Sequence, residues 1–327
     1  MKVRTQSKAR SCWQAVLGVL LGISIGGCNQ VDNNRISTEA DTQPRVVATS
    51  TIITDLAGRV GGEEIQLTGI LQPGVDPHVY EPTPADSKVL ETADLILYNG
   101  YNLEPGLINL INAVGERARK VAVGEVVKPL ELDEDGEVVP DPHVWGSAEN
   151  AIAMVNLIRD ELIKLSPADE AEFTQRASQL TQELQQLHSW INQQIATIPA
   201  AQRQLVTTHD AFQYYATTYG IAIAGTLIGI STEQQPSAQT VTRLVESIKK
   251  TNVPAIFAET TINPALITTV AQEAGVKLAP RELYSDSIGA KGSDADSYIN
   301  MMVANTRTIV EALGGQYTPF QDYRDSK

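Results

Sequence analysis

The chain of 327 residues predicts an α/β protein of two βα lobes, each on a mainly parallel sheet, joined by one long rigid helix. Three observations predict it. From Arg45 onward, short apolar runs alternate with longer amphipathic ones, the pattern of βα units around a parallel sheet. The alternation is interrupted once, at 167–198, where Phe173, Leu180, Leu184, Leu187, Ile191 and Ile195 recur at three- to four-residue steps in a Gln/Glu-rich background of good helix propensity. It then resumes for a second series of similar grammar. A hydrophobic fraction of 42% with 20% charged residues is enough to build a sizeable core and excludes wholesale disorder.

Taken in order, residues 1–28 carry Lys2, Arg4, Lys8 and Arg10, an apolar run at 13–25, and then Gly26-Gly27-Cys28, the layout of an export signal with a small-residue cleavage site. The run is too short and glycine-interrupted for a membrane span of about 20 residues. Ile25-Gly26-Gly27-Cys28 resembles a bacterial lipobox, which makes Cys28 the lipidated first residue of the mature chain. Cys12 is removed with the signal, so the mature chain holds no disulfide. Cleavage also removes four cations and no acid, moving the net charge from −14 to −18. Such acidity argues against nucleic acid as a partner and favours a cationic ligand. Residues 29–44 read as a flexible tether.

The first lobe, 45–166, is expected to hold strands at 46–50, 65–70, 94–98 and 120–123, with helices near 52–60, 84–91, 104–116 and 147–164. The connecting helix occupies 167–198, with Pro167 in its first turn and Pro199 beyond its end. The second lobe, 199–327, is expected to hold strands at 204–208, 221–226, 255–258 and 276–279 and helices near 211–219, 237–250, 264–274 and 296–313.

Four histidines occur, and three of them, His78, His143 and His209, fall at or just after the carboxyl ends of expected strands, where open α/β sheets bind ligands. Asp-Pro-His occurs twice, at 76–78 and 141–143, and the proline stiffens the loop that presents each imidazole. Three neutral imidazoles leave a divalent charge uncompensated, so an oxygen donor from the second lobe should complete the shell; Glu259 and Asp286 both qualify, and chemistry alone leaves both open. His188, inside the long helix, reads as a helix-surface residue, and the acidic run 132–137 as a solvated turn. Trp145, Phe212, Tyr214 and Tyr215 read as packing around the site.

These motifs together resemble the bacterial solute-binding lipoproteins of manganese and zinc ABC importers. The match runs through Gly-Val-Asp-Pro-His-Val-Tyr-Glu-Pro at 74–82, Ala-Asp-Leu-Ile-Leu-Tyr-Asn-Gly at 93–100, Asp-Pro-His-Val-Trp at 141–145, Thr-His-Asp-Ala-Phe at 208–212, Pro-Ala-Ile-Phe-Ala-Glu at 254–259 and Tyr-Ser-Asp-Ser-Ile-Gly at 284–289. The resemblance implies a metal held between the lobes by His78 and His143 from the first and His209 and Asp286 from the second. It prefers Asp286 over Glu259, which stays as a neighbour that shapes or hydrogen-bonds the site. It implies as partners a membrane permease and its ATPase, with the chain on the outer side of the membrane by its lipid anchor. His209, where manganese-dedicated members often carry glutamate, pulls toward Zn2+, while the short, histidine-free segment before His143 pulls the other way; Mn2+ or Zn2+ is therefore the expected ligand, in either order.

Catalysis is not required of such a chain. The rival readings are a zinc hydrolase with Glu259 as general base, for which a His-Glu-x-x-His helix is missing, and a siderophore- or chelate-binding protein of the same architecture, for which a 5% aromatic content is low. A secondary role in cell adhesion is a third reading.

Overall fold

The computed structural model describes residues 43–134, 136–251 and 253–325. The expected signal peptide, Cys28 and nearly all of the tether lie outside the described residues.

β1 (Arg45–Ala48), β2 (Gln66–Gly69), β3 (Leu95–Tyr98) and β4 (Arg119–Ala122) form a parallel sheet in the order β2-β1-β3-β4. The two central strands are buried along almost their whole length, through Val46, Val47 and Ala48 and through Leu95, Ile96 and Leu97, as parallel strands covered on both faces must be. Between them run α1 (Thr51–Gly61), α2 (Pro84–Thr92) and α3 (Pro105–Val114). Ser50 caps α1 by accepting from the Ile53 backbone at 3.2 Å, and Thr83 and Asp86 form a reciprocal capping box on α2 with Pro84 in its first turn. These caps fix where each helix begins, and hence the loops at the carboxyl edge of the sheet.

A hairpin of β5 (Glu131–Glu134) and β6 (Glu137–Pro140) follows, where the sequence suggested only a solvated acidic turn. Leu132 faces Val139 across the ladder, and Gly136, at φ 90°, supplies the backbone conformation that the tight connection needs. The acidic residues hide a weak alternation that pairing makes decisive.

α4 (Ala148–Leu165) leads through a 3-10 turn at Pro167–Asp169 into α5 (Glu170–Ala196), 27 residues and about 40 Å long. Its apolar stripe, Phe173, Leu180, Leu184, Leu187, Trp190, Ile191 and Ile195, is fully buried. The helix packs on α1 and α4 of the first lobe and on α9 (Tyr298–Ala312) of the second. One hydrophobic core therefore continues through both lobes along this helix. α10 (Phe320–Asp325), not expected from the sequence, also packs on α5. The Trp190 ring lies 5.3 Å from that of Phe320, and its Nε1 donates to Thr318 O at 2.9 Å.

The second lobe contains β7 (Gln204–Thr207), α6 (Gln213–Tyr219), β8 (Ala222–Thr226), α7 (Ala238–Thr251), β9 (Ala255–Ile256), α8 (Ala265–Ala274) and β10 (Lys277–Leu278). β7 pairs with β8 and β9 with β10, both in parallel, and Phe257 N donates to Val206 O at 2.9 Å, which sets β9 beside β7. The order β8-β7-β9-β10 repeats that of the first lobe. The last two strands are shorter than their apolar runs because the chain then serves the site: Ala258 O accepts from Leu283 N at 2.9 Å, and Glu259 forms an isolated bridge with Leu283.

Candidate metal centre

Each residue expected to bind metal lies in a loop, those of His78 and His209 at the carboxyl edges of parallel strands and that of His143 leaving the antiparallel β5–β6 hairpin. His78 follows β2, His143 follows β6, His209 follows β7, and Asp286 lies beyond the bridge to Leu283. The structure brings all four together: one possible ligand atom from each lies within 4.8 Å of every other, and all four side chains are buried. Among the described residues this is the one such grouping of His, Cys, Asp and Glu.

His78 Nε2 is 3.2 Å from His143 Nε2, His143 Nε2 is 3.4 Å from Asp286 Oδ1, and His209 Nε2 is 3.2 Å from Asp286 Oδ2. A tetrahedral ion with metal–nitrogen bonds of about 2.05 Å places its ligands about 3.3 Å apart. Outside the cluster, His209 Nε2 and Asp286 Oδ1 have no hydrogen-bond partner, so these buried atoms face only the other members of the group. A nitrogen-rich shell of this size suits a first-row divalent ion and excludes Ca2+, which takes six or more oxygens.

The Asp-Pro-His repeats have a common local logic. In each, the aspartate Oδ1 accepts from the histidine backbone N–H two residues on, at 2.9 Å for Asp76 and 3.0 Å for Asp141, which folds the loop into an Asx turn. The two differ in their second contact. Asp141 Oδ1 also meets His143 Nδ1 at 2.7 Å, whereas Asp76 Oδ2 accepts from Thr232 Oγ1 of the second lobe at 2.6 Å. Glu259 does for His209 what Asp141 does for His143, with its Oε2 2.5 Å from Nδ1. A carboxylate at Nδ1 fixes the proton there, leaves the Nε2 lone pair facing the centre and raises its basicity. Glu259 is thus a hydrogen-bond partner of a site histidine. Asp141 was not singled out from the sequence, although its place two residues before His143 carried the signal.

Burial and charge set the titration of the metal-free cluster. Burial, with the two neighbouring imidazoles, lowers His78 to about 3. Burial also opposes the charged forms of His143 and His209, but their carboxylates outweigh it: His143 is raised to about 9 by Asp141 and Asp286, and His209 well above its ordinary value by Glu259 and Asp286. The same imidazoles hold buried Asp286 well below the usual carboxylate range.

The flanking aromatic residues pack and brace. Trp145 lies 5.4 Å from the His143 ring and donates from Nε1 to Ser285 O at 2.9 Å; Tyr214 donates to Asp141 O at 3.0 Å. Phe212 and Tyr215 are buried behind them, their rings 6.4 Å apart. His188 stays apart from the cluster, its ring half-buried against Tyr219 at 5.5 Å. A cavity of about 470 Å3, lined by His78, Tyr98, Tyr101, Glu125 and Glu233 among others, opens onto the His78 side of the centre.

Two sheet-based lobes on one helix, with three imidazoles and a carboxylate converging between them, define a metal-binding protein of the solute-binding type. The sequence profile described as zinc-uptake complex component A, periplasmic, matches residues 46–312, and the chain belongs to that family. It is 32% identical to the manganese-binding lipoprotein MntA of Halalkalibacterium halodurans over 92% of this chain and 98% of that one. It is 36% identical to the zinc-binding protein TroA of Treponema pallidum over 84% and 90%. The solved structure of that periplasmic zinc-binding TroA superposes with a TM-score of 0.79 at 34% identity, covering 83% of this chain and 99% of the other.

Proposed function

We propose that this chain is the substrate-binding component of an ABC importer for Mn2+ and/or Zn2+, which captures the ion between its lobes outside the cytoplasmic membrane and delivers it to a membrane permease driven by an ATPase. The observation that carries this reading is the convergence of His78, His143, His209 and Asp286 in one buried cluster, two of whose atoms have no hydrogen-bond partner outside it. We assign these four as the ligands. Asp141 and Glu259 orient two of them.

Family membership supports the transport role, and relatives named for manganese and for zinc support both ions as cargo. Solute-binding components capture and release; they do not catalyse. Four protein ligands close a tetrahedral shell, whereas a catalytic zinc keeps a position for water. Anchoring by lipid at Cys28 fits the lipoprotein names of relatives, and no helix among the described residues is long and apolar enough to cross a membrane. We take 45–166 and 199–327 as the lobes and 167–198 as the connector. A helix buried against both limits them to small relative tilts, so release proceeds by rearrangement of the loops carrying the ligands.

The test is metal content by mass spectrometry of protein purified from its exported compartment, followed by calorimetric competition between Mn2+ and Zn2+ on the stripped protein. One equivalent of ion, lost in His209→Ala, is expected. A stripped protein that takes up neither ion contradicts the reading.

A further inference from the structure

Away from the cluster, one buried carboxyl has no part in the chemistry described so far. Glu104, at the start of α3, is 1% exposed. Its Oε1 accepts from Thr49 Oγ1 and from the backbone N–H of Asn99, both at 2.7 Å, while Oε2 is buried without a partner. The ionisable groups facing it are Glu125, in the 3-10 turn Gly124–Val126, and Tyr98 at the end of β3; among the described residues no lysine or arginine acts on it. Burial, aided by Glu125, pushes its carboxyl up to about 7 against the two hydrogen bonds that favour the anion.

Asn99 extends the connection. Its Nδ2 donates to Pro142 O at 2.9 Å, in the middle of the loop that ends in His143. The next three residues, Gly100, Tyr101 and Asn102, have φ of 85°, 49° and 57°. Asn102 tolerates this region, but the bulky Tyr101 does not, so the loop stores strain at Tyr101 that its surroundings must hold. Tyr101 Oη donating to Val127 O at 2.7 Å and the grip of Glu104 on Asn99 N supply that hold.

We propose that Glu104 and Asn99 are positioning residues for metal capture: they tie the ends of β1 and β3 to the backbone of the Asp141-Pro142-His143 loop, so that the first-lobe half of the site is set before the ion arrives. This rests on the metal-binding reading above.

The test is competition for Mn2+ alone against a fluorescent chelator, on the whole exported chain and on Glu104→Ala, Asn99→Ala, their double variant, Glu104→Gln and the remote core variant Leu90→Ala. Glu104→Ala and Asn99→Ala should each weaken binding roughly tenfold, as loss of outer partners of a metal ligand does, and the double variant no further than either alone. Leu90→Ala should lower the thermal midpoint and leave Kd alone. Glu104→Gln keeps both acceptor bonds and cannot ionise. It should hold the parent Kd, match the parent's thermal midpoint near pH 4 and exceed it above about pH 7, because a raised carboxyl costs stability as pH climbs from its ordinary value to its folded one. Parent-like Kd in Asn99→Ala, additive losses, or an equal loss in Leu90→Ala would each overturn the proposal. If Glu104→Ala does not fold, Asn99→Ala and Glu104→Gln decide it alone. A parent that binds no metal would sink the functional reading as well, whereas a parent and variants that bind equally would sink only the positioning role.

Discussion

Glu259 grips His209 at two points: Oε1 accepts from its backbone N–H at 2.8 Å, and Oε2 lies 2.5 Å from its ring Nδ1. Both side chains are fully buried, so one carboxylate fixes the residue's position and its ring tautomer together.

Glu259→Gln tests that double hold. A carboxamide can still accept from the backbone, but its NH2 then faces Nδ1 and drives the proton to Nε2, where it blocks the metal. Affinity for Mn2+ or Zn2+ should fall roughly 10–100-fold with the fold retained, as chelator competition and circular dichroism would show. An unchanged Kd would contradict the assignment.

Asp286→Asn removes a ligand anion rather than an orienting group. It should weaken binding more than Glu259→Gln does, since the remaining imidazoles then carry the divalent charge uncompensated. Equal affinity in variant and parent would return Glu259 to candidacy as the fourth ligand.

The pH dependence of stability should reverse on metal loading. In the metal-free protein, raised His143 contributes stability that is fully present below about pH 6.5 and lost as pH rises through about 9; depressed Asp286 contributes stability present above its ordinary range and lost in acid. Metal must displace the protons of His143 and His209, so the rise in thermal midpoint on adding metal should grow from pH 6 to about 9. Calorimetric heats at neutral pH should also vary with the ionisation enthalpy of the buffer. Heats independent of buffer would mean that no protons leave.

Two contacts draw the second lobe onto the loop that carries His78: Thr232 Oγ1 donates to Asp76 Oδ2 at 2.6 Å, and Gly74 N donates to Ser287 Oγ at 2.9 Å. Removing both with Thr232→Ala and Ser287→Ala should speed metal dissociation several-fold at a cost of about 1 kcal/mol of stability per bond. Stopped-flow transfer to a chelator measures the rate; a parent-like rate would show that these bonds do not restrain release.

Most of this architecture was legible in the sequence because buried parallel strands and a long one-sided helix leave clear apolar periods. The Asp-Pro-His pair and the strand-end position of His209 likewise pointed to three members of the buried cluster. The hairpin at 131–140 escaped because its alternation is diluted by acidic residues, and α10 because a six-residue helix has too few turns to show a period. Packing on Trp190 holds α10. Chemistry alone could not choose between Glu259 and Asp286, since both are acids following second-lobe strands. Geometry separates them: Glu259 is turned to Nδ1 of His209, and Asp286 to Nε2 of both His143 and His209. Asn99 falls in the motif at 93–100, but its role and that of Glu104 were not legible, because their link to Pro142 exists only once β1, β3 and the His143 loop are assembled.

The most direct test is a crystal structure of the protein loaded with Mn2+, and separately with Zn2+, measured at wavelengths that reveal each ion by anomalous scattering. A single peak bonded by His78 Nε2, His143 Nε2, His209 Nε2 and an Asp286 carboxylate oxygen is predicted. No peak between the lobes, or one held by Glu259 in place of Asp286, would contradict it.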